Sequence, residues 1–88
     1  MDERDEASGP GAVTVRYFAV LRERRGRDEE RVPLAAGDTV GGLYARLFPS
    51  VDGARLPVGF AVNRALVGAD TPLQAGDEVA FLPPLGGG

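Results

Sequence analysis

Thr39-Val40-Gly41-Gly42-Leu43-Tyr44-Ala45-Arg46-Leu47-Phe48-Pro49 is the stretch that decides how this chain folds. Val40, Leu43, Tyr44, Leu47 and Phe48 recur at i, i+3, i+4, i+7 and i+8, the spacing of one apolar stripe on an α-helix. Thr39 is a natural N-cap in front of them. Pro49 stops the helix behind them. Gly41 and Gly42 sit awkwardly in the first turn, since each is worse than alanine by about 1 kcal/mol in a helix interior. Either tertiary packing compensates, or the missing side chains allow close backbone approach to the sheet. The first is the expectation adopted here.

Outward from this helix, the apolar pattern changes to period two. Val13-Thr14-Val15-Arg16-Tyr17-Phe18 alternates as a strand, with Val13, Val15 and Tyr17 facing the core and Thr14, Arg16 and Phe18 facing out. Ala19 to Arg25 reads as a short helical turn at best, closed by Gly26 as a C′ residue. Glu30 to Leu34 is a second strand, and Pro33 puts it at an edge or a strand end. Beyond the helix, Ser50 to Pro57 is a loop. Gly59-Phe60-Ala61-Val62 and Ala65-Leu66-Val67 are strands joined by the turn Asn63-Arg64. Gly68 to Gly76 is rich in turn residues, with Leu73 able to pin it to the core. Asp77 to Leu82 is the last strand, with Val79 and Phe81 inward and Ala80 and Leu82 outward. One amphipathic helix then covers one face of a four- to five-stranded mixed sheet, an α+β arrangement of the β-grasp (ubiquitin-like) type.

The 88 residues suffice for one small domain with one modest core. Residues 1–12 read as a disordered acidic leader, residues 13–82 as the domain and residues 83–88 as a tail. The leader begins Met1-Asp2-Glu3-Arg4-Asp5-Glu6, unlike a signal or transit peptide, and no apolar run reaches membrane-spanning length, so a cytoplasmic location is expected. There is no cysteine and no histidine. Disulfides, thiol nucleophiles, imidazole bases and the usual zinc ligands are absent with them, and no metal site is expected. The ten basic residues are all arginine, and the net charge of −3 argues against nucleic acid as the main partner. Arg22, Arg24, Arg25 and Arg27 lie beside Asp28, Glu29 and Glu30 and are expected to form a solvated, self-neutralising surface.

The tail is Pro83-Pro84-Leu85-Gly86-Gly87-Gly88. The prolines end the strand and stiffen the exit, because they fix φ and lack an N–H. The glycines carry no side chain and suit a channel too narrow for a Cβ. From Pro84 to Gly88 the reach is roughly 15 Å at about 3.3 Å per residue. Phe18, Leu66 and Leu82 fall on or near the uncovered sheet face and are expected to form a docking patch at the root of the tail. The alternative is that one of them tucks under a loop.

Phe18-Ala19, Ala61-Val62-Asn63, Gly76-Asp77-Glu78-Val79-Ala80-Phe81 and the ending Pro83-Pro84-x-x-Gly87-Gly88 resemble the small subunit of molybdopterin synthase, a ubiquitin-like sulfur carrier. The resemblance runs from about Val13 to Gly88. It implies that an E1-like enzyme adenylates Gly88 with ATP, and that a sulfurtransferase or cysteine desulfurase then supplies the sulfur of a thiocarboxylate. The loaded tail, Pro84, Leu85, Gly86 and Gly87 leading to Gly88, would enter the large synthase subunit of a heterotetramer. There it would give sulfur to the dithiolene of molybdopterin. Phe18, Leu66 and Leu82 would contact the partners, the catalytic groups would belong to the large subunit, and the carrier would hold no cofactor of its own. Two other readings stay open: a carrier or protein modifier in another pathway, such as thiamine thiazole or cysteine synthesis, and a β-grasp binding module with an inert tail.

Overall fold

A computed structural model describes residues 11–49 and 57–84. Most of the acidic leader, most of the Ser50–Pro57 loop and the tail residues Leu85, Gly86, Gly87 and Gly88 lie outside the described residues. The order of elements is β1 (Ala12–Arg16), α1 (Ala19–Arg25), β2 (Glu29–Pro33), α2 (Val40–Leu47), β3 (Gly59–Val62), β4 (Ala65–Val67) and β5 (Glu78–Leu82). The five strands form one sheet in the order β2-β1-β5-β3-β4. β1 and β5 pair parallel, and the other neighbours pair antiparallel. The sheet is therefore mixed, with the first and last strands side by side at its centre.

The expected parity holds. Val13, Val15, Tyr17, Val79 and Phe81 are buried, and they form one core with Leu21, Val32, Leu34, Val40, Leu43, Tyr44, Phe48 and Val62. Aromatic rings fill its middle. Phe81 lies 5.0 Å from Tyr44 and 6.2 Å from Phe48 between ring centroids, within the range of favourable ring pairs. Leu73 packs against this core from the connection after β4, as its position suggests.

Three expectations need correction. The folded unit starts at Ala12, not Val13, and Gly11 is tied in as well, because its carbonyl accepts from the Leu34 N–H at 2.8 Å. α1 is a seven-residue helix rather than a turn. Leu21 is buried beneath it, and Gly26, at φ 75°, returns its N–H to the Arg22 carbonyl. Gly41 fits neither reading as stated, because its backbone closely approaches the loop after β4 and not the sheet. Its N–H bonds the Ala69 carbonyl at 2.8 Å, and a Cβ there would lie 2.7 Å from the Ala69 Cβ. Gly42 makes no such approach; its N–H bonds the Thr39 Oγ1 at 3.1 Å, the cap expected of Thr39.

Candidate functional site

α2 covers one face of the sheet, and the opposite face carries the site. The strand register assembles it. Glu29, Arg16, Ala80, Ala61 and Leu66 pair in succession across β2, β1, β5, β3 and β4, so they form one row on that face. The row has charged residues at one end, two alanines in the middle and a leucine at the far edge. The alanines leave a depression of about 320 Å³, lined by Arg16, Phe18, Ala61, Arg64, Glu78, Ala80 and Leu82. Leu82 is the last residue of β5, so the depression lies at the root of the tail.

Phe18 reaches the depression by a local device. It leaves the β1 ladder and becomes the N-cap of α1, with an extended backbone. The next residue, Ala19, has φ 52°, an uncommon angle for a residue with a Cβ. Phe18 stays 42% exposed. Leu66 is 78% exposed, and its pairing with Ala61 places it on the same face, although it does not line the depression. Two of the three expected patch residues thus share one depression, and the third sits at its β4 side. Pro84 is exposed beyond β5.

The charged part of the lining was not anticipated. Arg16 lies 3.6 Å from Glu29 and 3.8 Å from Glu78, and Arg64 lies 3.9 Å from Glu78. Glu78 is held by its backbone: its N–H donates to the Asn63 Oδ1 at 2.9 Å, and its carbonyl accepts from the Asn63 N–H at 2.7 Å. The Asn63 amide also donates to Asp77 at 2.9 Å. Outward parity marks Arg16 and Ala80 in the sequence. Nothing in the sequence brings Arg64, a turn residue, beside them, because that follows only from the β3–β5 register.

The arginine cluster also departs from expectation. Arg25 and Glu30 form a bidentate, partly buried pair, with contacts from Arg25 Nη2 of 2.8 and 2.9 Å. Tyr17 donates its hydroxyl to the same carboxylate at 2.8 Å, and Arg25 donates to the Leu47 carbonyl at 3.3 Å. Burial acts to raise the Glu30 carboxyl, but the hydrogen bonds from Tyr17 and Arg25, with the charges of Arg25 and Arg27, outweigh it and hold Glu30 below the usual range. Burial, and then Glu30, push the Tyr17 phenol well above its ordinary value. This network clamps α1, β2 and the end of α2 together, away from the depression. Among the described residues no cluster of side chains could hold a metal ion, and no helix is long and apolar enough to cross a membrane.

The ThiS family model matches residues 15–88, which include the residues lining the depression and the tail. The chain belongs to the ThiS family. Among curated relatives of this ThiS-family chain is the molybdopterin synthase sulfur carrier subunit of Escherichia coli strain K12. It is 40% identical over 81 residues, covering 86% of this chain and 99% of the relative. The subunit of the same name from Mycobacterium tuberculosis is 36% identical over 80 residues, covering 86% of this chain and 96% of the relative. The crystal structure of SAMP1 from Haloferax volcanii superimposes with a TM-score of 0.68 at 29% identity, covering 89% of this chain and 100% of that one. The β-grasp fold expected from the strand and helix pattern is the fold of this ThiS-family protein.

Proposed function

We propose that this ThiS-family chain is the sulfur carrier subunit of a molybdopterin synthase, with the carboxyl group of Gly88 as its reactive group. The observation that carries this reading is the family match through residue 88, joined to 40% identity over nearly the whole length of a relative with that name. The chemistry of the chain agrees with it. A terminal carboxylate ionises with a pKa of about 3.3–3.7 and is a poor electrophile at neutral pH. Adenylation by an ATP-using E1-like enzyme replaces the poor leaving group with AMP and releases pyrophosphate. The persulfide of a sulfurtransferase or cysteine desulfurase then displaces AMP to give an acyl disulfide, and a second thiol attacks the donor's sulfur, forming a new disulfide and releasing the thiocarboxylate. The large synthase subunit receives that sulfur. The carrier itself offers no thiol and no imidazole, in keeping with catalysis by its partners.

Intact mass after incubation with the E1-like enzyme, ATP and the sulfur donor tests this. The expected product has one oxygen replaced by sulfur, and deletion of Gly88 abolishes it without lowering the melting temperature. An unchanged mass alongside an active E1-like enzyme would overturn the carrier reading. A second reading, attachment of Gly88 to target proteins, draws on the likeness to the Haloferax volcanii small archaeal modifier protein 1, with a TM-score of 0.67 and 26% identity. Conjugates of higher mass in the native cell would favour it.

A further inference from the structure

The cations around the depression are held more loosely than Arg25 and Arg46, as is Arg27 at 3.8 Å from Glu30. Arg25 and Arg46 hold their carboxylates at 2.8 and 3.0 Å. Arg16 and Arg64 come no closer than 3.6 and 3.9 Å to theirs, beyond charge-assisted hydrogen-bond length. The Arg64 side chain is 87% exposed. The described lining of the depression holds two arginines and one glutamate, with Glu29 beside Arg16 at its rim.

Arg64 is also in an unfavourable backbone position. Asn63 and Arg64 form the two-residue turn between β3 and β4, with φ of 51° and 72°. Turns of this kind favour glycine at the second position, because a Cβ is strained there. The fold gains nothing locally from arginine at this place. A residue that breaks a local rule next to a docking face points to a role outside the fold.

We propose that Arg64, assisted by Arg16, is a specificity-determining residue of the docking face that receives a carboxylate carried on an apolar segment of the large synthase subunit. The proposal rests on the sulfur-carrier reading. The apolar part of the segment covers Ala61 and Ala80 between Phe18 and Leu82, and its acid meets guanidinium groups whose donors are free of short contacts among the described residues. Glu78, the acid among the described lining residues, competes for both cations, and Glu29 competes for Arg16.

The test is calorimetric titration of the large synthase subunit from the same organism with the wild-type carrier and four variants. Arg64→Gly relieves the strained turn, so its melting temperature is expected to hold or rise while affinity falls roughly threefold to fivefold, the scale of one exposed charge pair. Arg64→Glu is expected to lose more, and Glu78→Gln to bind more tightly. All three differences shrink as salt is raised. Leu82→Asp, the control for the apolar floor, is expected to lose binding at any salt concentration. Wild-type affinity in both Arg64 variants, with binding lost in Leu82→Asp, would overturn the role of Arg64 and leave the carrier reading intact. Tighter binding by Arg64→Glu would overturn it too, because the partner's group would then be basic. A large subunit that does not bind the wild-type carrier would remove both readings.

Discussion

Glu30 is the residue on which the ends of three elements converge. Its carboxylate takes hydrogen bonds from Tyr17 and from Arg25, and Arg25 reaches on to the carbonyl of Leu47. Glu30→Gln is expected to destabilise the domain by about 1–2 kcal/mol at neutral pH, the scale of a partly screened charge-assisted network. The sign of the pH dependence follows from the depressed carboxyl. Its contribution is complete above the ordinary carboxylate pKa of 4.5 and is lost as pH falls through the lower folded value. Thermal melts between neutral and acid pH should show the wild type approaching the variant as the medium becomes acid; a constant gap would mean that Glu30 acts by packing alone. Glu30 is one of three consecutive acids in a run of charges that reads as solvated surface. Only the fold reveals that alternation turns this one toward the Tyr17 hydroxyl, while Asp28 and Glu29 stay exposed.

At the scale of the element, α2 was the most legible part of the chain. Its cap, its apolar stripe and its stop are all local chemistry, and each lies where the sequence puts it. Its glycines were harder to read because their partner is distant. The loop after β4 folds back on the helix start, with the Thr71 carbonyl bonded to the Val40 N–H and the Ala69 carbonyl to the Gly41 N–H. No periodicity encodes an approach between residues 28 positions apart. The two glycines should therefore respond in opposite directions. Gly41→Ala is expected to destabilise by about 1–3 kcal/mol, because the new Cβ meets Ala69 backbone as well as its side chain. Gly42→Ala is expected to stabilise by under about 1 kcal/mol, since helix propensity favours alanine and the contact with Thr39 Oγ1 takes back only part of the gain. Urea unfolding of the two variants checks this, and destabilisation of equal size in both would show that the Ala69 approach is not what fixes Gly41.

At the scale of the whole molecule, one sheet face is spent on the core and the other is left open. The sequence showed this division through parity, and it located Phe18 and Leu82 on the open face. It left Arg64 out, because a turn residue acquires a neighbourhood only when the strands on either side of it find their register. Leu82→Asp is expected to keep the fold, with a loss of stability of about 1 kcal/mol for a partly buried position on the open face. An unaltered circular dichroism spectrum together with lost binding would bear this out; an unfolded variant would place Leu82 in the core instead. The parallel pairing of β1 with β5 has a consequence for biosynthesis. The central strand is the last one made, and its bond to β1 closes a long loop, a slow event in folding. Until Leu82 has been added, the nascent chain has neither a centre to its sheet nor a floor to its open face. A chain terminated before Leu82 is expected to stay unfolded and open to proteolysis, whereas one terminated within the tail keeps the folded domain, as the Gly88 deletion does. The topology thus inspects its own product as far as Leu82 and no further.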